Sequence, residues 1–161
     1  MTAERVTAWG AELRRVHARL REALALARAS LDGDPGGTDP AFHDLAPTDL
    51  LTYCIGFCAA LDGHHRSEDG ALFPEVAKAR PELAPVISKL SQDHSMIGYL
   101  IGELQHALQA GAPIAEAHRH LDGIEAVMES HFRYEERELV GVLNAIDNDE
   151  LDSNRLFGAI A

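Results

Sequence analysis

The chain has 161 residues, 46% of them apolar, which suits one domain with a sizeable core and excludes a disordered chain. Fourteen basic and 26 acidic residues give a formal charge of −12. That balance argues against nucleic acid and anionic membranes as partners, because both recruit basic patches.

No apolar run approaches the ~20 residues that span a bilayer. The start, Met1 to Arg5, lacks the basic head and apolar core of a signal peptide. Cys54 and Cys58 lie one helical turn apart and form no disulfide framework. They are expected to pack as small hydrophobes. A cytoplasmic location is the expectation.

Residues 3–31 carry Ala, Leu, Glu and Arg at helix-forming density. Their apolar positions Val6, Leu13, Leu20 and Leu24 step by threes and fours through Gly10 and His17, so His17 points inward. The breaker cluster from Asp32 to Pro40 ends this helix, and residues 32–47 read as a linker. A second helix is expected over 48–80, with a seam of Leu50, Cys54, Phe57, Leu61, His64, Glu68 and Leu72. Pro74 lies inside that pattern and predicts a kink, because it lacks a donor and crowds the carbonyl of Gly70.

The third helix is expected over 85–110, with Ile87, Leu90, His94, Ile97, Ile101, Leu104 and Leu108 on its seam. The fourth covers 113–147 and carries Ala117, Leu121, Ile124, Met128, His131, Glu135, Glu138 and Val142. Leu151 to Ala161 reads as a short extension able to cover one end. No strand-like alternation occurs. Four long amphipathic helices with short connections predict an all-α, antiparallel up-down-up-down four-helix bundle, a single domain over 1–161.

Six polar residues occupy inner seams: His17, His64, Glu68, His94, His131 and Glu135. Each holds a slot that would otherwise be apolar. An unpaired carboxylate costs several kcal/mol to bury. One or two dications are the simplest common partner. The levels agree at ~1.5 Å per residue in antiparallel helices. His64 and Glu68, like His131 and Glu135, are four apart and share a face. His65 remains an alternative to His64, or a neighbour able to pair with Asp69. Tyr99 and Tyr134 are further candidates to line the site, or simply to pack. Mixed imidazole and carboxylate donors suit iron, manganese or zinc.

His17, the segment His64-His65-x-x-Glu68-Asp69-x-x-Leu72-Phe73-Pro74, Asp93-His94 and His131-x-x-x-Glu135-Glu136 together resemble the haemerythrin-like (HHE cation-binding) family over roughly residues 10–145. The resemblance implies two iron ions, Fe2+ or Fe3+, bridged by two carboxylates and an oxo or hydroxo group. Zinc or manganese would be substitutes. It implies Glu68 and Glu135 as bridges and His17, His64, His94 and His131 as terminal ligands. Oxygen, peroxide or nitric oxide is the implied ligand, handled by a carrier, a sensor, an iron store or delivery protein, or a catalase-like oxidoreductase. The family's oxygen carriers have a fifth histidine where this chain has Gly98. They also space their last ligands as His and Asp five apart, against four for His131 and Glu135. Four histidines and a more open site are therefore expected.

Overall fold

The computed structural model describes residues 8–32, 47–146 and 151–161. Among the described residues every regular element is helical and no strand occurs. Helix α1 spans Trp9–Leu31, α2 Pro47–Ser67, α3 Phe73–Ala79, α4 Ala84–Gln109, α5 Ile114–Asn144 and α6 Ser153–Phe157. The expected first-helix residues before Ala8, most of the 32–47 linker, and the fourth helix's expected end at residue 147 lie outside the described residues. No described helix is long and apolar enough to cross a membrane.

The second helix departs from expectation. It does not run unbroken over 48–80. It passes through a π turn over Glu68–Leu72, restarts as α3, and ends before Pro81, where a 3-10 turn over Pro81–Leu83 leads into α4. The expected kink at Pro74 has a cause one turn earlier. Pro74 offers no N–H, and the Phe73 N–H reaches back to the Glu68 carbonyl in the wider five-residue turn. Leu72, Phe73 and Val76 then follow into the core.

Three helix contacts have a legible direction. Gly10 N–H donates to Asn144 Oδ1 at 3.0 Å, Arg21 pairs with Glu129 at 2.7 Å, and Arg28 with Asp122 at 2.8 Å. Rising numbers on α1 meet falling numbers on α5, so the two run antiparallel. Lys89 beside Tyr134 and His94 beside His131 give the same sense for α4 and α5. Cys54 near Ala27 and His64 near His17 give it for α2 and α1. Gly10 is required where α1 crosses α5, because a Cβ there would sit 2.8 Å from the Val140 carbonyl oxygen.

The core divides along the helix axes. Leu24, Leu31, Cys54, Leu104 and Leu121 fill one half with apolar side chains. Burial pushes the Cys54 and Cys58 thiols up to about 11 and about 12, as suits inert packing groups. The other half, nearer Trp9 and Leu143, contains a polar layer. Helix α6 lies beside that layer, with Leu156 and Phe157 buried.

Candidate metal centre

The buried polar side chains among the described residues are His17, Ser30, His64, His65, Glu68, His94, His131 and Glu135. All but Ser30 converge on the one layer, in two sets. His17, His64, Glu68 and Glu135 form the first, and His65, His94 and His131 the second. Within each set the candidate donor atoms lie within 4.8 Å of one another.

The two carboxylates span the sets. Glu68 Oε1 is 2.6 Å from His64 Nε2, while its Oε2 is 3.2 Å from His94 Nε2. Glu135 Oε2 is 3.3 Å from His17 Nε2 and 3.5 Å from His131 Nε2. Each carboxylate therefore touches one histidine of each set.

The outer nitrogens are anchored. His17 Nδ1–H donates to Glu136 at 2.9 Å, and His64 Nδ1–H to the Phe157 carbonyl at 2.8 Å. His94 Nδ1–H donates to Asp69 at 3.0 Å, and His131 Nδ1–H to Asp93 at 3.1 Å. Ionised carboxylates and carbonyls only accept, so these partners place the proton on Nδ1 and turn the Nε2 lone pair inward. Metal-binding imidazoles are oriented in this way.

The inner atoms lack partners. His17, His64 and His65 Nε2, with both oxygens of Glu68 and of Glu135, are buried without an aligned hydrogen bond. The short contacts above bring them together without the alignment a hydrogen bond needs. An unsatisfied buried polar atom costs about 1–3 kcal/mol. Seven such atoms converging on one layer fit a cation as the missing partner. His94 and His131 Nε2 face each other at 3.1 Å, where a single proton can stand between them.

Proton affinities follow from the same geometry. Burial and the neighbouring Glu135 hold the Glu68 carboxyl well above its ordinary range. Burial also raises Glu135, but His17, His131 and His64 outweigh it and bring that carboxyl to about 2. Burial lowers His17, yet contacts with Glu135 and Glu136 leave it raised. His94 is likewise raised by Glu68 and Asp69 against its burial. Burial lowers His64, and it lowers His131 to about 4. Burial, with four other imidazoles beside it, drives His65 well down, which leaves it a neutral base.

Phenylalanines close the layer. Phe132 stacks on His17 at 3.7 Å, Phe73 on His94 at 5.4 Å, and Phe157 on His64 at 6.3 Å between ring centroids.

The six expected residues are all brought together. A fifth histidine joins the four expected ones in this layer: His64 and His65 both face in. Adjacent helical residues diverge by about 100°, and the interior seen from α2 is that wide. His64 turns toward α1 and α6, and His65 stacks on His94 at 4.0 Å. Asp69 pairs with Ser91 and His94, not with His65. Gly98 points outward into open space, so a side chain there would not reach the layer. Tyr99 is 63% exposed, and Tyr134 lies beneath Lys89 and Arg137. Neither lines the site. On α5 the buried seam runs from Glu135 to Leu139, and Glu138 is only half-buried.

Sequence reasoning quoted Asp69, Asp93 and Glu136 in the motif but gave Asp93 and Glu136 no role and paired Asp69 with His65. It did not single out Phe132 or the Phe157 carbonyl. Each of the three acids adjoins a candidate ligand, which is the one signal that could have found them.

A family model, the Hemerythrin HHE cation binding domain, matches residues 11–143. No curated protein and no solved structure gives a significant match.

Proposed function

The chain belongs to the hemerythrin HHE cation-binding domain family, and from that premise we propose that it is a cytoplasmic, non-haem di-iron protein that binds or turns over oxygen, peroxide or nitric oxide. In this reading its helices form an antiparallel up-down-up-down four-helix bundle in a single domain. His17 and His64 would hold one iron and His65, His94 and His131 the other, with Glu68 and Glu135 available to both. Zinc or manganese can occupy the same donors. The observation that carries the reading is the convergence of seven buried, unpartnered nitrogen and oxygen atoms on one layer.

Bound there, the irons would supply electrons and Lewis acidity to a small ligand. The chain's own residues do the rest. Glu136, Asp69, Asp93 and the Phe157 carbonyl fix four imidazoles with their Nε2 atoms inward. Phe73, Phe132 and Phe157 exclude water from the donors. No ligand residue is more than 6% exposed, which restricts the reactant to something the size of oxygen or peroxide. Asp69 and Asp93 hold the His94 and His131 protons at partly exposed carboxylates.

A catalase-like, peroxide-handling oxidoreductase is the version to test first. Iron-loaded protein is mixed with hydrogen peroxide, oxygen release is followed, and visible spectra are taken with peroxide, oxygen and nitric oxide. Oxygen release well above that of free iron supports the enzyme. Spectra that respond without turnover support a carrier or sensor. No response to any of the three sinks redox function. An iron store or delivery protein is the second reading, favoured by the near-complete burial of the donors, which slows exchange.

A further inference from the structure

The anchors of the site histidines are not alike. His17 is held by Glu136 on α5, His94 by Asp69 in the π turn, and His131 by Asp93 on α4. All three are carboxylates on the long helical hairpins, and each adjoins a candidate ligand in sequence. His64 is held by a neutral carbonyl, that of Phe157, 93 residues away. The Phe157 ring also stacks on the His64 imidazole, 6.3 Å between centroids, and meets Trp9 at 6.2 Å.

The segment carrying this carbonyl is docked by specific contacts at both ends. Ser153 Oγ donates to Glu12 at 2.7 Å, and Arg19 Nη1 donates to the Ile160 carbonyl at 2.7 Å. Gly158 turns the chain at φ +89°, a conformation that disfavours any side chain. A Cβ there would stand 3.1 Å from the Gly63 carbonyl oxygen and 3.2 Å from His64 Cα. The backbone of the segment is thus seated directly on the turn that carries His64. None of this is needed to cover the apolar half of the core, which lies at the other end.

We propose that residues 151–161 are a positioning strap, which orients His64 through the Phe157 carbonyl and thereby sets how tightly the His17, His64, Glu68 and Glu135 position retains a divalent cation. The inference rests on the metal reading above. The strap acts on one of the two positions, because His65, His94 and His131 receive no anchor from it among the contacts shown. Loss of a histidine's outer partner typically weakens metal binding about 10- to 100-fold. The strap's release would therefore split two otherwise coupled affinities.

Cobalt(II) titration of the metal-free full chain, read by visible absorption, tests this. Wild-type protein takes up two equivalents. Gly158→Ala, which drives a methyl group against Gly63, weakens one step about 10- to 100-fold and spares the other. Arg19→Ala loosens the strap from α1 without touching it at His64, shifts the same step less, and decides the matter if Gly158→Ala does not fold. Phe157→Leu keeps the carbonyl and the Gly158 turn, so it weakens that step less than Gly158→Ala. Leu104→Ala, in the far half of the core, lowers the melting temperature and leaves both steps at wild-type affinity. Two wild-type affinities in both Gly158→Ala and Arg19→Ala overturn the strap alone, as does equal weakening of that step by Leu104→Ala. A wild-type chain that takes up neither cobalt nor iron overturns the metal reading and the strap with it.

Discussion

The two donor sets share a carboxylate pair but face different surroundings. His17 and His64 are fully buried, with Phe132 against one ring and Phe157 against the other. His94, in the second set, is 6% exposed, and its anchor Asp69 and the His131 anchor Asp93 have side chains 40% and 23% exposed. The first is the more sealed set and the second the more surface-linked one only by degree. Phe73 also covers His94, and Glu136, 21% exposed, anchors His17, but the other anchor of the first set is the Phe157 carbonyl. Under the proposed metal reading, that difference would favour retention of an ion on the α1 side and access for protons and small ligands on the α4 side.

Glu68→Ala should have the largest effect, because Glu68 touches both sets. Iron content is expected to fall from about two per chain, the stoichiometry of carboxylate di-iron bundles, to near zero. Unchanged iron would refute Glu68 as a shared ligand. His65→Ala should break the symmetry of the loss, leaving about one iron, held at the sealed set. Full loading of that variant would return His65 to mere packing.

Asp93→Asn should act more gently, on the surface-linked set alone. Its ion should leave to a chelator about 10- to 100-fold faster, since the amide no longer fixes the His131 Nδ1 proton as an anion does. Equal acceleration of both ions would argue against two separable sets.

A pH series probes the protons that stand in for metal. In the metal-free chain Glu68, His17 and His94 all bind protons more tightly than their ordinary values of 4.5 and 6.5. Groups raised in this way stabilise the fold below the unfolded values, and that contribution is lost as pH rises through the folded ones. Metal-free protein should therefore lose melting temperature relative to loaded protein as pH climbs above 6.5. A gap between the two that stays constant with pH would contradict the proton assignments.

The smallest effect is expected from Gly98→His. A Cβ there meets nothing within 4 Å and points outward, so iron content and spectra should match wild type. A changed iron spectrum would show that α4 can turn this position inward.

The sequence exposed the site unevenly, and the reasons are physical. His17, His64, Glu68, His94, His131 and Glu135 each interrupt an apolar seam, and a polar residue in such a slot demands a partner. A seam of threes and fours selects one residue per turn, so it chose between His64 and His65 where the wide interior takes both. Pro74 announced a break in the second helix, but a missing donor does not specify which wider turn absorbs it. The anchoring role of Asp69, Asp93 and Glu136 hid, although all three stand in the motif, because they resemble ordinary solvated acids on helix faces. The Phe157 carbonyl was out of reach altogether. A backbone acceptor has no residue type, and its contact with His64 spans 93 residues of sequence.

Metal analysis of aerobically purified, iron-supplemented protein, with its near-ultraviolet spectrum, tests the central claim most directly. Two sets sharing Glu68 and Glu135 predict about two irons per chain and the charge-transfer bands of a bridged ferric pair. One iron without those bands, zinc alone, or no metal would contradict it.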